Sequence, residues 1–386
     1  MTKKSETSSL SELFVKHFLH SWFSGHPERF LGFYKQNLFH EKETLKILRD
    51  HRLILPFQGF LDQNPRIQSL FSDEFLSETK NTYYQSAIQV ATQEESLKEL
   101  LDHLQMHQFQ AVFLRGAVIR NVYYPDPCLR PSWDIDLLIQ AHEFERFQSL
   151  VQEIGYSLRN HHGEYGFIRE EPHPAHLDIH VGLWYTAKPK EIWNRRMNVS
   201  FQNQPLTTLS HEDHWIHLVT HSIFQHARLS LNDLIDMAFI LQQYPEMIIA
   251  IHEESKQVGW FTKRAIAYTF KEIHDWIGIS IPEPLLQKPM TPFFSFTLRP
   301  YDREHPGHLM KFLAYPNLWK FIGGFLSYLF PNSEFIQMRY GVKSKTQIFF
   351  WKIFRPFDLA VKSVKNILGF LLKKFQRLVP TSSFHD

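Results

Sequence analysis

A single cysteine, Cys128, among 386 residues excludes an intrachain disulfide framework and fits a reducing cytosol. No run approaches the roughly 18 consecutive apolar residues that a spanning helix needs, and the longest, such as "FIGGFLSYLF" (321–330), fall well short. The opening "MTKKSETSSLSELFVKHFLHSWF" has no unbroken apolar stretch followed by small cleavage-site residues, so no signal peptide is expected. Internal repeats and low-complexity segments are also missing, which sets repeat architectures aside. These absences point to a cytoplasmic chain, soluble or peripheral to the inner face of a membrane.

What the chain does have is apolar and aromatic mass. At 43% hydrophobic and 15% aromatic it can build a sizeable core, and its length suggests two or three domains. The net charge of +2 is unevenly spread. Residues 311–380 carry twelve basic groups against two acids, Glu334 and Asp358, which leaves 30 basic and 38 acidic residues elsewhere. A mildly acidic body argues against extended nucleic acid as substrate, and a strongly basic tail suggests an anionic surface.

Periodicity divides the chain into four regions. Residues 1–105 read as helices, with "SLSELFVKHFLHSWF" behind a serine cap and "TQEESLKELLDHLQMH" behind Thr92. Residues 106–205 alternate short β-rich runs ("QAVFLRG", "WDIDLLIQ", "YGFIRE", "AHLDIHVGLW") with the helix "AHEFERFQSLVQEIGY". Helices return over 206–290, and a basic, aromatic helical tail fills 291–386 after the proline-rich stretch "SIPEPLLQKPMTPFF". The fold class is therefore α+β, a small mixed sheet flanked by N-terminal and C-terminal helical regions.

Within "RPSWDIDLLI" (130–139), strand alternation puts Asp134 and Asp136 on one face, their α-carbons roughly 6.5 Å apart, with Trp133, Ile135 and Leu137 on the other. Like charges that close need a positive partner, and a divalent cation is the usual one. Asp178, in "LDIH" (177–180), offers a third carboxylate on another strand. Three carboxylates can hold two Mg²⁺ (or Mn²⁺) ions about 3.5 to 4 Å apart, the arrangement that clamps the oxygens of a phosphoryl or nucleotidyl transfer. Gly116 falls where a strand turns into a helix, a position at which phosphate oxygens can approach backbone N–H groups.

The order strand, Gly116, helix, Asp134-x-Asp136, Asp178 resembles the polymerase-β-like nucleotidyltransferase superfamily. Within it, "LRGAV" (114–118), "YYPDP" (123–127), "RPSWDIDLLI", "EIGY" (153–156), "LDIH", "HLVTH", "LIDMAFIL" and "LFPNSEF" are similar to the bacterial family of uncharacterised nucleotidyltransferases, over roughly residues 40–340. The resemblance implies that Asp134, Asp136 and Asp178 ligate the metal, that Asp178 also helps activate an acceptor hydroxyl, and that an NTP is the substrate. Gly116 would lie against the triphosphate with Ala117, Arg115 and Arg130 near the phosphates, and His180 beside the carboxylates. Ala117 stands where the superfamily has serine or glycine, and Arg115 where the family often has lysine. An acceptor in glycan-precursor synthesis is implied by resemblance alone.

Other readings stay open. His176-x-Asp178-x-His180 share a strand face and can ligate a hydrolase metal, and Asp134-x-Asp136 can serve a glycosyltransferase. A catalytically silent nucleotide-binding module is the third class. His211, His214, His217, His221 and His226 lie at mostly helical spacing, but the His-Glu-x-x-His pattern is absent. They read as packing or solvated residues, with His221 nearest the cleft. Residues 345–386 interleave aromatic and basic side chains, and Pro356 is expected to split them into two amphipathic helices that pack on the body or contact an anionic membrane.

Overall fold

The computed structural model describes residues 3–37, 39–161, 164–286, 298 and 308–378. The N-terminal helices are α1 (Lys3–Ser24), α2 (Pro27–Gln36), α3 (Glu41–Asp50), α4 (Ile54–Asp62), α5 (Pro65–Gln68) and α6 (Asp73–Met106). Prolines open α2 and α5, where a missing N–H costs nothing. Phenylalanines lock these helices together edge to face. Phe14 meets Phe30 at 5.3 Å, Phe18 meets Phe57 at 5.1 Å, and Phe30 meets Phe60 at 5.5 Å between ring centroids.

Two expected caps are not caps. α1 already runs through the serines from Lys3, and Thr92 lies inside the 34-residue α6, where its hydroxyl donates to the Ile88 carbonyl. The cap of α6 is Ser72, which accepts the Phe75 N–H and is itself held by Glu41. Local spacing points to Thr92 because the apolar period restarts there, but the stretch before it is helical too, packed on α4 and bonded through Tyr83, Ser86 and Gln89 to the loop at 126–132.

The sheet comprises β1 (Val112–Leu114), β2 (Ile135–Leu138), β3 (Ser157–His161), β4 (Glu164–Arg169), β5 (Ala175–His180), β6 (Met197–Phe201) and β7 (Gln204–Thr208). Its order is β3-β4-β5-β2-β1-β7-β6. β1 runs antiparallel to β2, while β2–β5 and β1–β7 are parallel, so the sheet is mixed. α7 (Arg115–Val122) leaves β1 directly, α8 (Phe144–Glu153) follows β2, and α9 (Pro189–Asn194) follows β5. The β6–β7 hairpin turns on Gln202 and Asn203, both at positive φ, the geometry that a two-residue hairpin demands. β2 is shorter than the sequence pattern implies. Trp133 precedes it and is 83% exposed, instead of sharing a face with the buried Ile135 and Leu137.

α10 (His211–Thr220), α11 (Leu231–Gln243), α12 (Met247–Glu254), α13 (Trp260–Ile277) and α14 (Glu283–Leu286) complete the core, and one apolar cluster extends from Phe14 to Ala314. The boundary expected near 290 lies outside the described residues. Beyond it come α15 (Leu318–Leu329), α16 (Ser333–Tyr340) and α17 (Lys345–Leu378). Pro356 does not split the tail, because α17 runs straight through it. The buried Arg355 beside it donates to the Tyr328 carbonyl and the Tyr340 hydroxyl and packs on the Phe335 ring, tying that turn to α15 and α16.

The loop before β2 is anchored to α11 by charge. Arg130 donates to both carboxylate oxygens of Asp236 at 2.8 to 3.0 Å, and the Tyr124 hydroxyl donates to the same group at 2.7 Å. Asp236 is buried but Arg130 is a quarter exposed, so removing the carboxylate leaves a partly solvated guanidinium and the buried Tyr124 hydroxyl without their acceptor. Asp236→Ala is therefore expected to lower stability by about 2–3 kcal/mol in urea unfolding; a loss under about 1 kcal/mol would show that the fork is not a structural tie.

Candidate active site

Register places the chemistry. Asp136 on β2 lies directly opposite Asp178 on β5, and Leu114, the last residue of β1, lies opposite Asp136 on its other side. Neighbouring parallel strands are about 4.8 Å apart, so the two carboxylates emerge side by side. His180, two residues after Asp178, shares its face. Its Nε2 is 3.4 Å from Asp136 Oδ1 and 3.8 Å from Asp178 Oδ2. The Arg115 guanidinium donates to Asp136 Oδ1 at 2.8 Å. Asp136 is buried and its Oδ2 has no hydrogen-bond partner among the described residues.

These charges set one another. Burial pushes the Asp136 carboxyl up, but Arg115 and the His180 hydrogen bond outweigh it and hold its pKa at about 2. Burial opposes a charge on His180 as well, yet the hydrogen bond to Asp136 and the two carboxylates raise its pKa above the ordinary imidazole value. Asp134 moves the other way, raised by burial and then by Asp136 against the pull of Arg115.

Donor atoms of Asp136, Asp178 and His180 all lie within 4.8 Å of one another, a spacing that suits one cation. The chemistry fits too: two carboxylates, an imidazole and an orphaned buried oxygen. Asp134 stands outside this group, at the entrance to β2, where Gln93 of α6 clamps its carbonyl. His176 occupies an exposed strand position and does not join it.

The strand-to-helix turn is built from behind. Arg115 sits at φ 51°, a region uncommon for a residue with a side chain. Its N–H donates to His214 Nε2 at 3.1 Å. Nε2 being an acceptor, the His214 proton lies on Nδ1, 3.4 Å from Thr208 Oγ1, and that hydroxyl donates to the Phe113 carbonyl. Burial, then His211 and Arg115, push the His214 pKa down to about 3, so the imidazole is neutral. Gly116 is buried, and a Cβ there would come within 2.5 Å of Ser132 Cβ. The face without a side chain is thus covered by Ser132. Ala117 is buried in the core, and Arg130 is engaged by Asp236.

Of the histidine row, His217 packs beside His180, the ring centroids 6.2 Å apart, and His221 lies a turn further on. The His217 Nδ1 meets the Tyr185 hydroxyl, while its buried Nε2 has no partner among the described residues. His214 and His217 are the site residues that the sequence reading underrates. Their three-residue spacing on one helix face is the signal that carried them. A second group, His103 of α6 and the residue just past its end, His107, with Glu153, is separate from the sheet carboxylates, and both imidazoles reach Glu153 Oε2, at 3.3 and 3.7 Å.

A family profile described as "Uncharacterised nucleotidyltransferase" matches residues 38–276, most of the chain and all of the residues just described. The chain belongs to this family. Among solved structures, a nucleotidyltransferase-like antigenic protein from Paracoccidioides brasiliensis is similar at 12% identity and a TM-score of 0.29, over 39% of this chain and 75% of that one. No curated protein matches. In nucleotidyltransferase terms, Asp136, Asp178 and His180 form a possible metal site on the sheet, and α15 to α17 lie beyond the matched region.

Neutral His214 makes a measurable claim. In the unfolded chain it titrates near 6.5, in the folded chain only near 3. Between these values the unfolded chain binds a proton that the folded chain refuses, so stability falls as pH drops below about 6.5. The cost is roughly 1.4 kcal/mol per pH unit, or about 2 kcal/mol at pH 5. His214→Gln keeps an acceptor for Arg115 and removes this share. Its urea midpoint should fall less between pH 7 and pH 5 than that of the unaltered chain, and equal falls would contradict a buried neutral imidazole.

Proposed function

We propose that the chain transfers a nucleoside monophosphate from an NTP to a hydroxyl or phosphate of a small-molecule acceptor, a glycan precursor among the candidates. The observation that carries this reading is the in-register pair Asp136 and Asp178 with His180 between them, on the sheet of a nucleotidyltransferase family member. Asp136, Asp178 and His180 would hold Mg²⁺ or Mn²⁺, with Asp134 adding negative charge at the entrance. Such an ion, when bound, neutralises charge on the triphosphate.

The remaining roles follow from exposure and charge. Arg115, 22% exposed, has guanidinium donors beyond the one given to Asp136 and is placed to meet a phosphate. Asp178, 24% exposed, is more open than Asp136 at 1%, and so is the carboxylate that an acceptor hydroxyl can reach. In the proposed step the acceptor oxygen bonds to the α-phosphorus, the bond to the bridging oxygen breaks, pyrophosphate leaves, and the hydroxyl proton passes to Asp178.

One observation favours a second reading, a nucleotide-binding module without turnover. Arg115 occupies Asp136 Oδ1, and Ser132 covers the open face of Gly116, so fewer groups are left to engage a triphosphate. Incubation with α-labelled NTPs, Mg²⁺ or Mn²⁺ and a cell-extract fraction separates the two. Transfer should release pyrophosphate and label an acceptor. Asp136→Asn and Asp178→Asn should each lose about 100-fold or more, beyond the roughly 10- to 100-fold typical of residues that only orient a ligand. Tight NTP binding with no pyrophosphate release by the unaltered chain would establish the second reading instead.

A further inference from the structure

Outside the family-matched region, α17 presents an apolar stripe that no other described element covers. Phe350, Phe354, Phe357, Val361, Val364 and Leu368 recur at intervals of three or four residues, which places them on one helix face. Each is roughly half exposed or more, from 46% at Phe354 to 69% at Val361. The opposite face near the start of the helix is the one that docks: Trp351 stacks on Tyr340 at 4.0 Å, and Arg355 is buried against α15 and α16. α15 adds exposed apolar side chains of its own, Trp319 at 80% and Leu326 at 50%.

Charge selects the occupant. α17 carries eight Lys and Arg residues, of which Arg355 is buried against the body, and one acid, Asp358, which is engaged by Lys362 and the Tyr340 hydroxyl. A second copy laid along the stripe would bring two cationic flanks together, whereas an anionic lipid surface complements them. Aromatic side chains on the apolar face with Lys and Arg around it suit the boundary between headgroups and acyl chains. No single helix among the described residues is long and apolar enough to cross a bilayer, so the geometry is that of a helix lying on the surface. We propose that α17, with α15 beside it, is an interfacial anchor that seats this chain on anionic membrane.

The test uses the full chain and vesicles of phosphatidylcholine with or without phosphatidylserine. Co-sedimentation should require the anionic lipid and drop at least tenfold between low salt and 0.5 M NaCl, on the order expected for several screened charges. Phe357→Ser combined with Val361→Ser, both solvent-exposed and so harmless to the fold, should abolish binding while circular dichroism stays unchanged. Lys362→Glu combined with Lys365→Glu should weaken it without disturbing the stripe. Equal binding to neutral vesicles, or no loss in the Phe357 and Val361 variant, overturns the proposal. So does sedimentation velocity showing a lipid-free dimer that those two serines disperse, which would make the stripe a contact between copies.

Discussion

Asp136 and Asp178 are paired in register on parallel neighbours, and much of the surrounding structure serves to offset that repulsion. Arg115 supplies a positive charge at 2.8 Å, and the His180 imidazole lies within reach of both carboxylates, which favour its protonated form. Both side chains are themselves held by the fold. His180 is fixed because it shares the strand face of Asp178, and Arg115 because His214 accepts its N–H in a strained backbone geometry. The buried Oδ2 of Asp136 has no partner among the described residues. Such a site keeps negative charge and an open acceptor for a cation.

The mixed topology is what makes that pairing possible. β2 runs antiparallel to β1, with Leu114 opposite Asp136, and parallel to β5, with Asp178 opposite Asp136 on the other side. The loop before β2 passes close enough to α7 that Ser132 fills the space beside Gly116. The Arg130–Asp236 fork and the glutamines of α6 then hold the loop from two sides. Residues that look like phosphate ligands in the sequence are in part the fastenings of this loop.

Strong local signals were legible. The alternation in "WDIDLLI" and "AHLDIH" marked β2 and β5, and the family motifs ordered the aspartates before any contact was known. What the sequence could not show depends on tertiary contact. β3, β6 and β7 show weak alternation, and β3 and β6 are the two edge strands, although Gln202-Asn203 is a turn signal. His214 reads as one histidine among 23, and only the approach of α10 to β1 gives it a partner in Arg115. Pro356 obeys no local rule here, because Arg355 anchors the turn that the proline weakens.

Asp136, Asp178 and His180 are proposed to be one cation-binding centre. Anomalous diffraction from crystals grown with Mn²⁺ and a non-hydrolysable NTP tests it most directly. A manganese peak is expected within bonding distance of Asp136 and Asp178, at about 2.0–2.2 Å from their oxygens, with the triphosphate on the same face of the sheet. A peak confined to His103, His107 and Glu153, with Arg115 still paired to Asp136, would contradict it.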